Sequence, residues 1–336
     1  MSEQHQIEPE PAPSPFLHGT NIQFAWDSTS LGWLKRCPRL YEYEMIEGWK
    51  SRGESIHLRF GIELHQALQD YELFREMDLD HDEALHKVVW DLLKRIWGWD
   101  PKPTTKTERL KTKTNLVRAV IWYLDKHPRE RDPAKTHILP NGKPAVELSF
   151  RFALDWGPAT QQWGRTAQVP HPERLPEMQA YILCGHLDKI VEYNDDLFVM
   201  DHKTTTTVPS EFYFDQFDPD NQMSLYALAA QVIASTTVKG VIVDAIQVAE
   251  NFSRSTRSFT FRNEERIEEW LNDLAYYFRQ AEEFALQGYW PQNDTACDKY
   301  GGCKFRDVCK KSPHIREQFL LGNFTRGEVW NPLITR

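Results

Sequence analysis

Residues 184–205 read Cys184-Gly185-His186-Leu187-Asp188-Lys189-Ile190-Val191-Glu192-Tyr193-Asn194-Asp195-Asp196-Leu197-Phe198-Val199-Met200-Asp201-His202-Lys203-Thr204-Thr205. Two apolar runs flank Asn194-Asp195-Asp196, a turn signal that predicts a β-hairpin. Asp188 sits among apolar neighbours on the first strand, and Asp201 closes the second. The hairpin brings their carboxylates near each other. Carboxylates on apolar strands repel and lose hydration, so the pair is costly unless a cation lies between them. Mg²⁺ suits such a site, because it takes oxygen ligands at ~2.0–2.1 Å from one or two carboxylates, water and phosphate. Lys203 follows Asp201 by two residues, and strand alternation puts both side chains on one face. An ammonium there can orient a nucleophile or stabilise charge on a phosphate oxygen. Alone, an Asp-x-Lys on a hairpin more often marks a solvated face.

Working outward, the first half of the chain reads helical. Helices are expected over Ser30 to about Trp49, and from Phe60 with Ile62, Leu64, Ala67, Leu68, Tyr71 and Phe74 on one face. A third covers Asp82–Trp97 with Leu85, Val88, Val89, Leu92 and Ile96 inward, and a fourth spans Glu108–Lys126. The second half mixes strands and helices. Strands are predicted at Ala145–Leu154, Glu177–Tyr193, Leu197–Lys203, Gly240–Val248 and Phe259–Phe261. Helices are predicted at Gln222–Ile233 and along Ile267, Trp270, Leu271, Leu274, Phe278, Ala281 and Phe284. The expected class is α/β, with a central mixed β-sheet flanked by helices and a helical N-terminal elaboration.

Four short motifs follow in order: Gly61-Ile62-Glu63-Leu64-His65, Gly185-His186-Leu187-Asp188, Asp201-His202-Lys203 with Thr204, and Gln222-Met223-Ser224-Leu225-Tyr226. Together they resemble the PD-(D/E)XK nuclease superfamily, and within it the RecB-like group. That group also includes AddB-type helicase-nuclease subunits and the nucleases of CRISPR spacer acquisition. The resemblance runs from about Ser30 to Cys309. It implies a restriction-endonuclease-like core that uses Mg²⁺ or Mn²⁺, held by His65, Asp188 and Asp201, with Lys203 assisting.

On the residues alone, His65 reads as a core histidine between Ile62 and Leu68; the resemblance makes it a metal ligand through a neutral ring nitrogen. Gln222 and Tyr226 lie one turn apart and share a helix face. Their own pattern fits capping and core packing, whereas the resemblance puts them beside the DNA backbone and the active site. Glu147 interrupts a strand-like run; the group often carries a Glu on the strand before Gly-x-x-Asp, so Glu147 joins the expected catalytic set. His202 is expected to contribute at most its backbone carbonyl.

Five cysteines are present, and Cys297, Cys303 and Cys309 crowd one glycine-containing loop. An odd count without a secretory leader argues against a disulfide scaffold. Three thiols need a fourth ligand to hold a four-iron cluster or a zinc ion. Cys37 is the expected fourth, since Cys184 lies inside the strand leading to Asp188. One distant N-terminal Cys with three C-terminal ones resembles the iron–sulfur RecB-like nucleases, which implies a 4Fe-4S cluster. Those often show Cys-x-x-Cys-x5-Cys; here both gaps are five residues and Tyr300 stands where the first of the three is expected. Zinc is the alternative, because cysteines alone do not separate the two metals.

The chain has 336 residues and a net charge of −9. An acidic balance disfavours broad phosphate binding, yet a metal-binding carboxylate site adds acidity of its own and local basic patches can coexist with it. Lys106, Arg109, Lys111 and Lys113 belong to the clearest basic run and are the expected DNA contacts. No window suits a membrane span, and the first residues lack the order of a signal peptide. The expected setting is the cytoplasm of a bacterium or a phage-infected host. Expected segments are a flexible tail over 1–20, the helical region 21–135, the nuclease core 136–290, the cysteine loop 291–312 and a C-terminal tail over 313–336.

Taken together, the sequence points to a metal-dependent deoxyribonuclease, with the exonuclease preference implied by the resemblance and endonuclease cleavage as its rival. The expected partner is DNA, single-stranded or with free ends, in recombination, repair or phage DNA metabolism. A helicase or recombination protein would accompany it, since no P-loop is present. The alternative is a catalytically silent nucleic-acid-binding or assembly protein on the same cluster-stabilised core.

Overall fold

The structure, a computed structural model, describes residues 13–158, 180–298 and 302–334. The chain folds into two compact units built from interleaved segments. One comprises Met1–Lys50, Arg151–Cys184 and Ala275–Arg336; the other comprises Ser51–Phe150 and Gly185–Leu274.

The second unit carries the helical layer. Helix α1 (Ile56–Glu76) starts at Ser55, whose hydroxyl caps the Leu58 N–H. Helix α2 (His81–Arg95) starts in a reciprocal capping box between Asp80 and Glu83, and α3 (Lys113–Lys126) is capped by Thr112. Phe60, Leu64 and Tyr71 pack with Val88, Leu92, Leu116, Val120 and the strand residues Ile246 and Val248. The buried stripe of α1 departs from expectation at one point. Ile62 is 45 % exposed, and Glu63 is buried in its stead. Its carboxylate is met by Arg59 at 2.8 Å and by Arg95 of α2 at 2.9 Å, which offsets the desolvation that an apolar side chain would avoid.

The central sheet is mixed. Its long strands are β1 (Val146–Ala153), β2 (Ile182–Tyr193), β3 (Asp196–Thr205), β4 (Val238–Val248) and β5 (Ser253–Phe261). The order β2-β3-β4-β5 is continuous, and β1 also pairs β2. Strands β2 and β3 form the predicted hairpin: Asn194 (φ 50°) and Asp195 (φ 66°) occupy the left-handed region that a two-residue turn demands. The antiparallel ladder runs from Tyr193↔Asp196 to Lys189↔Met200. Strand β3 then runs parallel to β4, and β4 antiparallel to β5. The apolar run of β4 follows from its central place, covered on both faces. Helix α4 (Asn221–Ala234), capped by Asp220, follows β3.

In the first unit, Ala25–Trp26 runs parallel to Ile182–Leu183. Trp26 stacks on Phe278 at 4.6 Å. The single helix expected over Ser30–Trp49 is broken into Ser28–Arg36, Pro38–Tyr41 and a π-helical turn at Glu42–Ile46, with Trp49 in a short strand. Pro38 is the reason: it has no N–H to donate, and it forces Cys37 into an extended conformation. Of the expected N-terminal tail, residues 1–12 lie outside the described residues. From Pro15 the chain is tied down, with Leu17 3 % exposed and its N–H bonded to Ile22 O at 2.9 Å. The expected C-terminal tail likewise holds a helix, Pro313–Asn323, and a strand, Phe324–Arg326. Among the described residues no helix is long and apolar enough to cross a membrane.

Candidate metal centre and its lysine

All the expected catalytic residues fall in the second unit. Asp188 stands one residue past the last ladder pair of β2 and β3. Its Oδ1 lies 3.1 Å from His65 Nδ1, and its Oδ2 accepts the His202 backbone N–H at 2.7 Å. Glu147 completes the group: ligand atoms of His65, Glu147 and Asp188 all lie within 4.8 Å of one another. The Glu147 backbone is in the left-handed region (φ 45°), a conformation that costs a non-glycine residue about 1–3 kcal/mol and is concentrated at functional positions. A narrow cavity of about 30 Å³ adjoins the group, lined also by Glu72, Tyr123 and His127.

The electrostatics describe a site that calls for positive charge. Burial alone pulls the His65 imidazole down, but the Asp188 carboxylate beside it prevails and pushes it up to about 9. For Asp188, burial works upward and is overcome by His65 and the His202 hydrogen bond, so its carboxyl is held well below the usual range. The positive charge that Asp188 favours on His65 lies where a bound cation would also be favoured. Two carboxylates and one imidazole are a fitting set for Mg²⁺ or Mn²⁺.

Asp201 is engaged differently. It is 1 % exposed, and Lys203 Nζ lies 2.8 Å from its Oδ2 and 3.1 Å from its Oδ1. Burial raises its carboxyl, and the ammonium only partly offsets this. Among the described residues, Glu147 rather than Asp201 stands in the close group with His65 and Asp188. The reason is local: Lys203, two residues on along the same strand, already neutralises Asp201.

The motif helix α4 reaches the same lysine. Gln222 Oε1 accepts from Lys203 Nζ at 2.6 Å, while its Nε2 donates to the Tyr226 hydroxyl at 3.0 Å. Tyr226 in turn meets the Phe150 ring edge-on at 6.4 Å. The structure therefore brings Gln222 to Lys203 and Tyr226 to Gln222.

The basic run divides. Lys106 and Arg109 are exposed. Lys113 donates to the Trp97 carbonyl at 2.7 Å. Lys111 cannot touch DNA as it stands: it is 2 % exposed, and its Nζ lies 4.2 Å from the Phe60 ring centroid. Its long stem fills the core beneath the loop, which a count of charges along the sequence does not reveal.

In the first unit the four expected cluster thiols share one neighbourhood, although among the described residues no three of their sulfur atoms lie within 4.8 Å of one another. Cys37, at the end of Ser28–Arg36, accepts the Asn293 N–H on its Sγ at 3.2 Å. The Cys297 Sγ lies 3.8 Å from the Asn293 carbonyl, and the Cys303 N–H donates to Cys297 O at 2.9 Å. Cys37, Tyr43, Phe305 and Val308 form an apolar nest against which Cys303 and Cys309 pack. Burial, then the neighbouring thiols Cys303 and Cys37, raise the Cys297 thiol; burial pushes Cys309 up to about 11. Four soft thiol donors are the chemistry that an iron–sulfur cluster or zinc takes. Tyr300 lies outside the described residues. Cys184 is 1 % exposed and apart from these thiols, among Phe24, Ala25 and Leu333.

Sequence reasoning missed the ring of His202, whose Nδ1 lies 3.3 Å from Asp188 Oδ2. It also missed Asp244, fully buried on β4. An acid inside the apolar run Val241–Val248 was the available signal.

The family model of the PD-(D/E)XK nuclease superfamily matches residues 28–310, most of the chain. No curated protein matches the chain significantly.

Proposed function

The chain belongs to the PD-(D/E)XK nuclease superfamily, and from that premise we propose that it is a metal-dependent deoxyribonuclease, an exonuclease of the RecB-like type. The observation that carries the reading is the convergence of His65, Glu147 and Asp188 within 4.8 Å, beside the Lys203–Asp201 pair on the adjoining strand.

His65, Glu147 and Asp188 would hold the divalent cation, with Asp201 in its vicinity. Bound there, such a cation supplies Lewis acidity toward a phosphodiester and eases deprotonation of the attacking water. Lys203, held between Asp201 and Gln222, orients that water or steadies charge on a phosphate oxygen. Tyr226 keeps Gln222 turned toward the lysine. Lys106 and Arg109 grip backbone phosphates of DNA with free ends, and unwinding comes from a partner helicase or recombination protein.

Cys37, Cys297, Cys303 and Cys309 would bind a 4Fe-4S cluster, with zinc as the alternative. The role is structural: metal ligation can contribute on the order of ten kcal/mol to folding.

The test is cleavage of single- and double-stranded DNA labelled at either end, with Mg²⁺ or Mn²⁺ and with chelator. Mononucleotide or short-oligonucleotide release that needs the metal, and that vanishes in Asp188→Ala and Lys203→Ala, supports the proposal. Internal cuts assign the endonuclease alternative. DNA binding without any metal-dependent cleavage identifies a catalytically silent binding protein.

A further inference from the structure

His202, Asp244 and Arg257 stand in one row across three strands: His202 is in register with Asp244 of β4, and Asp244 with Arg257 of β5. Asp244 is 0 % exposed. An ionised carboxylate so placed must be paired. Arg257 Nε donates to its Oδ2 at 2.6 Å, and the Tyr123 hydroxyl donates to the same oxygen at 2.9 Å. Arg257 is itself fixed, because both its Nη atoms grip Asp132, at 2.5 and 2.7 Å. The row ends at the candidate metal centre. Tyr123 Oη lies 3.0 Å from His202 Nε2, and the opposite ring nitrogen lies 3.3 Å from Asp188 Oδ2.

Buried ionic networks of this kind add little to stability compared with apolar residues of similar volume. What they supply is geometry, since the rigid guanidinium fork admits few arrangements. Here every contact from the row falls on one oxygen of Asp188. The other oxygen, Oδ1, faces His65.

We propose that His202 and Tyr123, anchored by Asp244 and Arg257, are positioning residues that clamp Oδ2 of Asp188 so that Oδ1 is presented to the divalent cation. The inference rests on the metal-dependent reading above. Residues behind metal ligands of this kind typically alter metal affinity 10–100-fold when removed.

The test uses the full chain with Mn²⁺ alone as probe, titrated by calorimetry without DNA, beside melting and steady-state cleavage. Tyr123→Phe deletes one oxygen and His202→Phe the ring nitrogens; His202→Asn keeps a donor near the Nδ1 position. Both Phe variants are expected to bind Mn²⁺ about tenfold more weakly or worse, with kcat lowered and KM for DNA unchanged. His202→Asn is expected to recover most of the affinity. A folded Tyr123→Phe protein with wild-type Mn²⁺ affinity and kcat overturns the inference while leaving the nuclease reading intact. Failure of the wild type itself to bind Mn²⁺ and cut DNA overturns both.

Discussion

Gly185 lies against the ring of Phe150: a Cβ on residue 185 would stand 2.6 Å from Phe150 Cζ. The glycine of the Gly-x-x-Asp motif is therefore required by space. Phe150 contacts Tyr226, Tyr226 is bonded to Gln222, and Gln222 holds Lys203. One added methyl at 185 pushes on the first member of a series that ends at Lys203. Gly185→Ala is expected to destabilise by about 1–3 kcal/mol, the usual cost of overpacking, and to lower the cleavage rate. Chemical denaturation measures the first effect. Adding Phe150→Leu should restore much of the lost stability, and strict additivity of the two changes would refute the contact.

Gln222 accepts from the Lys203 ammonium and so fixes where it points. Gln222→Ala is expected to reduce kcat by about tenfold or more, as loss of a positioned electrostatic group does, with little change in melting temperature. Gln222→Glu keeps an acceptor and should retain more activity than the alanine variant. An alanine variant with wild-type kcat would remove Gln222 from the machinery.

Lys111 makes a prediction about pH. Burial without a hydrogen-bond partner among the described residues brings its amine from 10.5 down to about 7. Between those values the unfolded chain holds the proton and the folded chain does not, so this residue makes stability rise with pH across that window. Below it, folding must bury an ammonium. Lys111→Met is therefore expected to stabilise the protein by about 1–3 kcal/mol near neutral pH and below. The gain should shrink toward pH ~10. Denaturation of both proteins at several pH values checks it; a constant difference would contradict the account. DNA affinity should be unaffected by this substitution.

Lys106 and Arg109, in contrast, are free to meet phosphate. Neutralising both is expected to weaken DNA binding and to flatten its salt dependence by about one to two units of log–log slope. Binding isotherms at several salt concentrations give the slope. An unchanged slope removes them from the interface.

Cys37→Ser is expected to lose the cluster metal and to lower the melting temperature markedly, because three remaining thiols cannot complete a four-ligand set. Visible absorption of anaerobically purified protein, with iron and zinc analysis, provides the measurement. Full metal content with an unchanged melting temperature would exclude Cys37 as a ligand.

The hairpin was legible because its signals are local: a two-residue turn between apolar runs leaves one pairing, and that pairing alone sets Asp188 beside Asp201. The fold class followed from alternation and helical periodicity in the same way. Glu147 stood out as an interruption of a strand, and the family resemblance is what placed it beside His65 and Asp188. What the sequence could not determine is which groups satisfy one another across elements. Asp201 is drawn to Lys203 while Glu147 joins His65, and Lys111 turns inward whereas Lys106 stays in water. Glu63 is buried and Ile62 left out because two arginines, one of them on α2, meet the carboxylate. The His202–Asp244–Arg257 row exists only once three strands come into register. Local backbone preferences are written in neighbouring residues, whereas desolvation and charge pairing depend on distances that only tertiary packing creates.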